Sequence, residues 1–420
     1  MLLRAWTTAA ALLTFMGQFM SQPLAAPPNF VVILADDLGY GEVGAQHVGE
    51  VATPNIDAIA RAGVTFTDGY VTASLCVPSR AGLLTGRYQQ EFGIYGNPGK
   101  WPYPSSFGLP ASQTTLAEAL KAKGYATGII GKWHLGMKPS DNPLGHGFDE
   151  FFGVMDTDHP YFGEMPGNPI LRGRTPVPAS GYLTDTLATE AVSFIRRRAG
   201  EKFFLYVPFT AAHSPLQAKP EVLARLSYIA NEKRRLFAGV LVSLDEAVGK
   251  ITAALRTAGV TDNTIVVFLG DNGCGNCRNA PLRGGKGLNY EGGIRVPFVL
   301  SWPTALSGNR RYAQPVVSTD LFATFVKLAG GTPPGTVDGV DLMPYLNGTK
   351  PGAPHQYLFW GNKSNGAVRS GPWKFLNGKL YNLSRDIKEQ YDVAGANPTV
   401  VADLRRARTA WTRTLAPALW

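Results

Sequence analysis

The stretch FVVILADD, residues 30–37, is a continuous apolar run that ends in two aspartates. Similar runs recur along the chain, and segments with helical periodicity separate them. They include ATGIIGKWHLG from residue 126, KFFLYVPFTAAHSP from residue 202 and TIVVFLGDNG from residue 264. Continuous apolar strands that alternate with helices are typical of a mostly parallel sheet covered by helices on both faces. The sequence therefore predicts an α/β fold with a large, mostly parallel mixed sheet between helices.

The pattern changes after about residue 345. The stretch WKFLNGKLYNL, residues 373–383, predicts a β-hairpin, because Asn377-Gly378 separates two strand-like runs. A charged helical pattern follows near residues 399–415. We therefore predict a catalytic domain over residues 27–345 and a small C-terminal α+β domain over residues 346–420. The small domain combines an antiparallel sheet with a terminal helix.

The first 26 residues have the pattern of a secretory signal peptide. Arg4 supplies a positive charge, the apolar stretch AAALLTFMG follows, and small residues surround Ala25–Ala26. A single membrane anchor is the alternative, but the apolar run is short and becomes polar after Gly17. We therefore expect an exported protein, periplasmic, secreted or luminal, without stable membrane insertion.

The composition is that of a globular protein with a basic surface. Hydrophobic residues make up 45% and charged residues 17% of the 420-residue chain, and the net charge is +9. A positive surface suits polyanionic partners. No block of Lys and Arg with interleaved aromatic residues is present, so we do not predict a nucleic-acid partner.

Polar side chains follow four of the predicted strands. They are Asp36 and Asp37, Lys132 and His134, His213, and Asp271 and Asn272. Each has an ordinary structural explanation alone, since such aspartates cap helices and a lone histidine is commonly structural. In parallel sheets, however, functional groups gather beyond the carboxyl ends of the strands. The three aspartates and the asparagine offer hard oxygen ligands, which suit Ca²⁺ or Mg²⁺ rather than Zn²⁺.

Cys76 lies just before a predicted short helix in SLCVPSRAGLLTGR, residues 74–87. Pro78 suits the first helical position and Gly86 suits the helix stop. The free N–H groups of such a helix attract anions, and Arg80 would lie one turn in. A thiolate is a poor partner for Ca²⁺ or Mg²⁺. Cys76 is therefore an inert buried thiol or a direct thiol nucleophile, although an oxygen nucleophile would fit this set of hard ligands better.

Two further cysteines lie in DNGCGNC, directly after Asp271 and Asn272. Export permits disulfides, so we predict a bond between Cys274 and Cys277. Metal binding and redox chemistry are alternatives for a C-x-x-C pair.

The stretch CVPSRAGLLTGR resembles the signature C-x-P-S-R-x-x-x-L-T-G-R of the type I sulfatases, in the alkaline phosphatase superfamily. The stretches GKWHLG, ADDLGYG, GDNG, AAHSP and GGKGLNYEGGIRVPF are also similar to motifs of that family. The resemblance spans residues 30 to about 390. It implies an alkaline-phosphatase-like fold, a bound Ca²⁺ rather than Mg²⁺, and a formylglycine-generating enzyme that oxidises Cys76 during export.

The resemblance also assigns roles to residues. Asp36, Asp37, Asp271 and Asn272 would bind Ca²⁺ together with the converted Cys76, whose hydrate attacks sulfur. Arg80 and Lys132 would hold this hydrate. Lys286 and His213 would grip the sulfate, and His213 would protonate the leaving alcohol. His134 would take a proton from the remaining hydroxyl.

These roles imply a sulfuric ester hydrolase that acts on a sulfated small molecule or saccharide. Alternatives are a phosphodiesterase or phosphonate monoester hydrolase with the same signature, and a non-catalytic polyanion-binding protein. The segment 155–174 matches no shared motif. Its polar and aromatic residues form either a substrate subsite or an ordinary surface loop; they are Asp158, His159, Tyr161 and Arg172.

Overall fold

The structure, a computed structural model, describes residues 26–46 and 49–420. The predicted signal peptide therefore lies, except for its last residue, outside the described residues. Among the helices of the described part, none is long and apolar enough to cross a membrane.

The strands of the large domain follow one another through most of the chain. In the described residues they are β1 (Asn29–Ala35), β2 (Gly63–Phe66), β3 (Gly69–Tyr70), β4 (Ala126–Lys132), β5 (Glu150–Val154), β6 (Leu171–Arg172), β7 (Thr175–Pro176), β8 (Phe203–Pro208), β9 (Thr264–Gly270), β10 (Phe298–Ser301), β11 (Arg310–Tyr312) and β12 (Val316–Val317).

Helices separate most of these strands. In the same described part they are α1 (Pro54–Arg61), α2 (Cys76–Thr85), α3 (Leu116–Lys121), α4 (Leu183–Arg198), α5 (Pro220–Arg225), α6 (Glu232–Thr257), α7 (Glu291–Ile294), α8 (Asp320–Leu328), α9 (Met343–Leu346) and α10 (Pro398–Thr412).

Within the described residues, one central sheet has the strand order β11-β2-β10-β9-β1-β8-β4-β5-β6-β7. Its five middle strands, from β9 to β5, run parallel to one another. Strand β10 is antiparallel to both of its neighbours, and β6 and β7 add an antiparallel edge. The predicted mostly parallel mixed sheet is confirmed.

Strand β1 is buried on both faces, which explains its uninterrupted apolar sequence. Phe30 and Leu34 pack into the core that the sheet forms with α2, α3 and α8. Val31 and Ile33 pack into the core formed with α1, α4 and α6 on the opposite face. Successive side chains of a strand point to opposite faces, so both faces of a central strand must be apolar.

Three helix starts illustrate how local chemistry sets these elements. Thr115 and Glu118 form a capping box at α3, and the Asn231 side chain caps α6. Helix α2 begins at Cys76, two residues before Pro78, whereas we expected Pro78 at its first position. Proline is tolerated throughout a first turn, since the N–H groups there lack helical partners, so Pro78 did not fix the start.

A four-stranded antiparallel sheet forms the small C-terminal domain. Its strands are β13 (Leu358–Gly361), β14 (Gly366–Ser370), β15 (Trp373–Leu376) and β16 (Lys379–Asn382). Asn377 and Gly378 form the predicted hairpin turn with positive φ angles. The predicted α+β domain is confirmed, and its exact boundary at residues 345 and 346 stays a prediction.

This small sheet is sandwiched between the large domain and α10. One face contributes Trp360, whose Nε1 donates to the Val71 carbonyl oxygen at 2.7 Å. The other face packs Val368 and neighbouring side chains against Leu404 of α10. The C-terminal domain is thus held on the large domain by apolar contacts and hydrogen bonds.

A buried ionic cluster joins the two domains. The Glu291 carboxylate of α7 lies 2.9 Å from the Lys374 ammonium of β15 and 3.3 Å from the Arg295 guanidinium. Lys374 also contacts Glu389 at 2.9 Å. Burial opposes ionisation of Glu291, but Lys374 and Arg369 outweigh it and hold the pKa of Glu291 at about 2.

Candidate active site

Neighbouring parallel strands deliver the predicted polar side chains to one edge of the sheet. Asp36 follows β1, Asp271 follows β9, His213 lies beyond β8, and Lys132 ends β4. Because these strands are adjacent and parallel, their carboxyl ends meet. Contacts described below bring all predicted metal-ligating and catalytic residues into one region.

Three carboxylates and one thiol form the centre of this region. Single ligand atoms of Asp36, Asp37, Cys76 and Asp271 all lie within 4.8 Å of one another. The Cys76 sulfur lies 3.7 Å from Asp36 Oδ1 and 3.9 Å from Asp37 Oδ1. Burial and the Asp36 charge raise the pKa of Asp271 to about 6. Such a cluster is costly without a compensating cation.

Asn272 adds an unused acceptor to this centre. Its Nδ2 donates to Asp37 Oδ1 at 2.7 Å and to the Gly273 carbonyl oxygen at 3.0 Å. Its Oδ1 is buried and has no hydrogen-bond partner among the described residues. Buried acceptors are rarely left without a partner. Carboxylate and amide oxygens in this arrangement fit a hard divalent cation.

Two buried cations neutralise the inner carboxylates. The Arg80 guanidinium donates to Asp271 Oδ2 at 2.8 Å and to the Lys132 carbonyl oxygen at 3.0 Å. The Lys132 ammonium donates to Asp36 Oδ2 at 2.5 Å. Burial opposes ionisation of Asp36, but Lys132, His213 and Arg80 outweigh it and hold its pKa well below the usual range. Arg80 and Lys132 are thereby fixed beside the thiol.

Lys286 and His213 form the outer side of the site. The Lys286 ammonium donates to Asp37 Oδ2 at 2.7 Å and lies 3.1 Å from His213 Nε2. The opposite ring nitrogen, Nδ1, lies 2.8 Å from the Ser214 carbonyl oxygen and 3.3 Å from Asp158 Oδ1. A proton on Nδ1 is donated to the Ser214 carbonyl oxygen, the nearer of the two acceptors. His213 Nε2 is then the nitrogen that faces the site.

His134 is buried at the inner side. Its Nε2 lies 3.6 Å from Asp156 Oδ1, and its Nδ1 has no hydrogen-bond partner among the described residues. Burial and the Lys132 charge lower the pKa of His134 well below its usual range. His134 is therefore a neutral imidazole that is able to accept a proton.

Two site residues were missed in the sequence. Asp156 contacts His134, and Thr157 accepts a hydrogen bond from the Lys132 ammonium at 2.9 Å. Both follow β5, the next parallel strand after β4. The signal that singled out Asp36 and Asp271, an acid directly after an apolar strand, is also present in the stretch EFFGVMD that leads to Asp156.

Cys76 is the first residue of α2 and is 1% exposed. Burial raises the pKa of its thiol, so the thiolate form is disfavoured. The Val77 N–H, in the same first turn, donates to Asn97 Oδ1 at 3.1 Å. A direct thiolate nucleophile therefore fits this position poorly.

The residues singled out in segment 155–174 separate in space. Asp158 contacts His213, and its side chain is 59% exposed. His159 is buried, with Nδ1 2.8 Å from the Pro160 carbonyl oxygen, and it lines a separate cavity of about 490 Å³. The Tyr161 hydroxyl donates to the His213 carbonyl oxygen, and Arg172 pairs with Glu190. Asp158 is thus the member of this set that reaches a side chain of the site.

Cys274 and Cys277 are joined by a disulfide. The loop that they close supports the site from outside. The Lys286 N–H donates to the Cys274 carbonyl oxygen at 3.2 Å, and the Cys277 sulfur lies 4.0 Å from the Asp37 carbonyl oxygen. The loop also lines a cleft of about 410 Å³ together with Lys286 and His213.

Comparisons with known proteins agree with this geometry. A family model described as Sulfatase matches residues 28–331. Steryl-sulfatase of Mus musculus is 34% identical, over 89% of this chain and 73% of that protein. Arylsulfatase A of Bos taurus is 36% identical, over 85% of this chain and 77% of that protein. The solved structure of Ps i-CgsB in complex with k-i-k-neocarrahexaose is similar, with a TM-score of 0.89, 34% identity and 94% of each chain covered.

Proposed function

The chain belongs to the sulfatase family of sulfuric ester hydrolases, and from this we propose that it removes sulfate from a sulfated saccharide. The observation that carries the proposal is the meeting of Cys76 with three carboxylates, flanked by Arg80, Lys132 and Lys286. A sulfate ester carries negative charge on its non-bridging oxygens. Positioned cations bind this charge and stabilise its shift to the bridging oxygen as the S–O bond breaks.

We propose Ca²⁺ as the resident cation. Asp36, Asp37, Asp271 and Asn272 would hold it, since they offer hard oxygen atoms and the buried Asn272 Oδ1 has no other described partner. Mg²⁺ is less suited because it keeps several waters and demands strict octahedral geometry. When bound, the cation supplies positive charge at the sulfate and at residue 76.

We further propose that a formylglycine-generating enzyme converts Cys76 during export. The support is the mismatch between a protonated buried thiol and its hard oxygen neighbours. Conversion oxidises the –CH₂SH group to –CHO, a net exchange of sulfur for oxygen with loss of two hydrogens, and the converting enzyme would supply the oxidant and remove the sulfur. The hydrated aldehyde supplies an oxygen nucleophile, which suits this position better than sulfur.

Side chains of this protein then bind the sulfate group and transfer the protons. Lys286 and His213 bind the sulfate oxygens, whereas Arg80 and Lys132 hold residue 76 beside the inner carboxylates. His213 Nε2 faces the site, and the imidazolium form of His213 donates its Nε2 proton to the leaving alcohol. Neutral His134 accepts a proton on the inner side. The net reaction is ROSO₃⁻ plus water to ROH plus HSO₄⁻.

A saccharide substrate and an extracytoplasmic location are proposed together. The net charge of +9 attracts polyanions, and the solved relative in complex with k-i-k-neocarrahexaose binds a saccharide. The disulfide agrees with an oxidising compartment. A periplasmic, secreted or luminal enzyme would meet sulfated saccharides there.

Mass spectrometry of the tryptic peptide 62–80, from protein made in its own host, tests the mechanism. We expect Cys76 to have lost sulfur and gained an aldehyde, and a Cys76→Ala protein to be inactive. Matched sulfate and phosphate esters should show faster sulfate release. An active preparation with a fully unmodified thiol would refute the mechanism, and a preference for phosphate esters would favour a phosphodiesterase or phosphonate hydrolase.

A further inference from the structure

The cleft that contains Lys286 and His213 extends beyond the residues assigned to sulfate. It encloses about 410 Å³, and its outer walls are the disulfide loop 274–277 and the first turns of α6. Ligand sites for small molecules commonly have volumes of several hundred Å³. The space beyond the sulfate-binding pair is therefore open to the alcohol part of a substrate.

Three residues of α6 line this outer part of the cleft. They are Lys233, Leu236 and Phe237, whose spacing of three and four residues places them on one face of the helix. Leu236 and Phe237 add an apolar surface, which Leu216 and the disulfide continue. The C–H face of a sugar ring packs on such a surface, while its hydroxyl groups stay in contact with water.

Lys233 differs from its neighbours in the basic run EKRRL. Arg234 is engaged by Glu42 at 2.7 Å and by Glu50 at 2.9 Å. Lys233 is exposed and, within residues 26–46 and 49–420, its ammonium has no ion pair. The ammonium carries three donors and suits an anion as a point charge.

The charge of the cleft also favours a second anion. Asp37 is the single carboxylate among the described residues that line it, and Lys286 pairs with Asp37 at 2.7 Å. The Asp37 side chain is 15% exposed and so lies at the inner end, whereas Lys233 lies at the solvent rim. An anion near Lys233 would therefore meet no uncompensated acid of the cleft.

We propose that the cleft is a subsite for the alcohol part of the substrate, and that Lys233 binds a second anionic group of the same saccharide. This group is a sulfate or a carboxylate, and the inference rests on the proposed function. The preferred substrate is thus a saccharide with at least two anionic groups. Leu236 and Phe237 support the ring between Lys233 and the sulfate that is removed.

Calorimetric titration of the full mature chain with Cys76→Ala, which blocks turnover, tests the subsite. The ligands are D-glucosamine 2-N,6-O-disulfate, D-glucosamine 6-O-sulfate, and a 6-O-sulfated saccharide with a carboxylate in place of the second sulfate. We expect about tenfold tighter binding of a doubly anionic ligand, as one charge-assisted contact provides. If the disulfate alone shows this gain in affinity, the subsite recognises sulfate. If the carboxylate ligand shows it, the subsite recognises carboxylate. The gain should shrink at high ionic strength.

Lys233→Met should remove this preference and Lys233→Arg should keep it. The control Lys363→Met changes another exposed lysine, in the turn between β13 and β14. Equal affinity for all ligands in the parent protein, or a preference that survives in Lys233→Met, would overturn the subsite. Turnover of a small aryl sulfate by the unmutated enzyme is measured separately. Absence of turnover by the unmutated enzyme would refute the proposed function, independently of the result of the titration.

Discussion

Asp37 connects the carboxylate centre to Lys286 and His213, the proposed sulfate-binding pair. Its backbone has a φ of 55°, in the left-handed region that aspartate adopts more readily than most residues. One carboxylate oxygen accepts from Asn272 and the other from Lys286, at 2.7 Å each. Its N–H donates to Asp271 Oδ1 at 3.0 Å. The position of Lys286 is thus linked to the occupancy of the carboxylate centre.

Cation binding at this centre should be visible as stabilisation. After chelation, added Ca²⁺ should raise the melting temperature, because a ligand at one hundred times its Kd stabilises by about 2.7 kcal/mol. Asp37→Asn should weaken the shift, and Mg²⁺ should give a smaller shift in the unmutated protein. Thermal unfolding followed across a Ca²⁺ titration measures both effects.

Asp158→Asn is a matched control for that experiment. Asp158 also contacts His213 but lies outside the carboxylate centre, so the variant should keep the full Ca²⁺ shift. A chelated protein that melts at the same temperature with and without Ca²⁺ would contradict the cation assignment.

Asp156 should act as a positioning residue for His134. Its carboxylate lies 3.6 Å from His134 Nε2 and is held by the Tyr103 hydroxyl at 2.7 Å. Asp156→Asn should lower kcat about 100-fold, the lower end of the range for general acid–base effects, with little change in KM. Steady-state kinetics with an aryl sulfate as substrate measure the effects on kcat and on KM separately. Tyr103→Phe should have the smaller effect, and a rise in KM alone would count against this role.

The residues of the site differ in how far the sequence could predict them. Asp36 and Asp271 follow long apolar strands, so both the pattern and the topology rule indicated them. Asp156 carries the same signal, but its loop matched no family motif and Asp158 was chosen instead. His159 is two residues from Thr157 and yet faces a different cavity. Side-chain direction in a loop depends on backbone turns that the sequence pattern does not encode.

At the scale of elements, strands were predicted better than the exact helix starts. Strand β1 lies between two other buried strands, and its continuous apolar run is the pattern expected of a strand that is buried on both faces. The start of α2 was less determined, because Pro78 fits any position of a first turn. The shift of two residues matters, since it places Cys76 inside the helix rather than before it.

The disulfide loop should matter for substrate binding as well as for stability. Changing Cys274 and Cys277 to Ser should lower the free energy of unfolding by about 2 kcal/mol, the chain-entropy value for so short a loop. KM for a sulfate ester should rise, because the Lys286 N–H bonds to the Cys274 carbonyl oxygen. Denaturant unfolding and steady-state kinetics measure the two effects.

Reduction of the unmutated protein serves as the control for this loop and should reproduce both changes. A KM that stays constant while stability falls would show that the disulfide does not position Lys286.

At the scale of the whole molecule, the ionic cluster around Glu291 should make stability depend on pH. The ordinary pKa of this carboxyl is 4.5, and in the folded protein burial is outweighed by Lys374 and Arg369, which lower the pKa to about 2. The stabilisation is therefore fully present above about pH 4.5 and is lost as the pH falls towards 2. Free energies of unfolding between pH 7 and pH 3 measure this decline.

Glu291→Gln identifies the source of that decline. Removing one partner of a buried ion pair costs about 3–5 kcal/mol at neutral pH, because Lys374 and Arg369 lose a counter-charge. The difference in free energy of unfolding between the variant and the unmutated protein should become smaller below pH 4.5. A difference that stays constant down to pH 3 would assign the destabilisation to packing instead.

The ionic cluster around Glu291 could not be predicted from the sequence. Glu291 lies in a stretch with family resemblance, but its partner Lys374 lies in a hairpin whose pattern indicated only two strands and a turn. Alternation predicts which face a residue occupies, whereas the pairing of two domains depends on how their surfaces fit.

The strand order has a consequence for biosynthesis. Strand β1 leaves the ribosome early, but both of its neighbours, β8 and β9, are encoded after residue 200. At translation rates of about 5–20 residues per second, β9 follows β1 after on the order of ten seconds or longer. During that interval the apolar run of β1 has no sheet to join, and Cys76 is not yet enclosed. Slower growth at low temperature, or more abundant chaperones, should therefore raise the yield of folded protein more than a stronger promoter would.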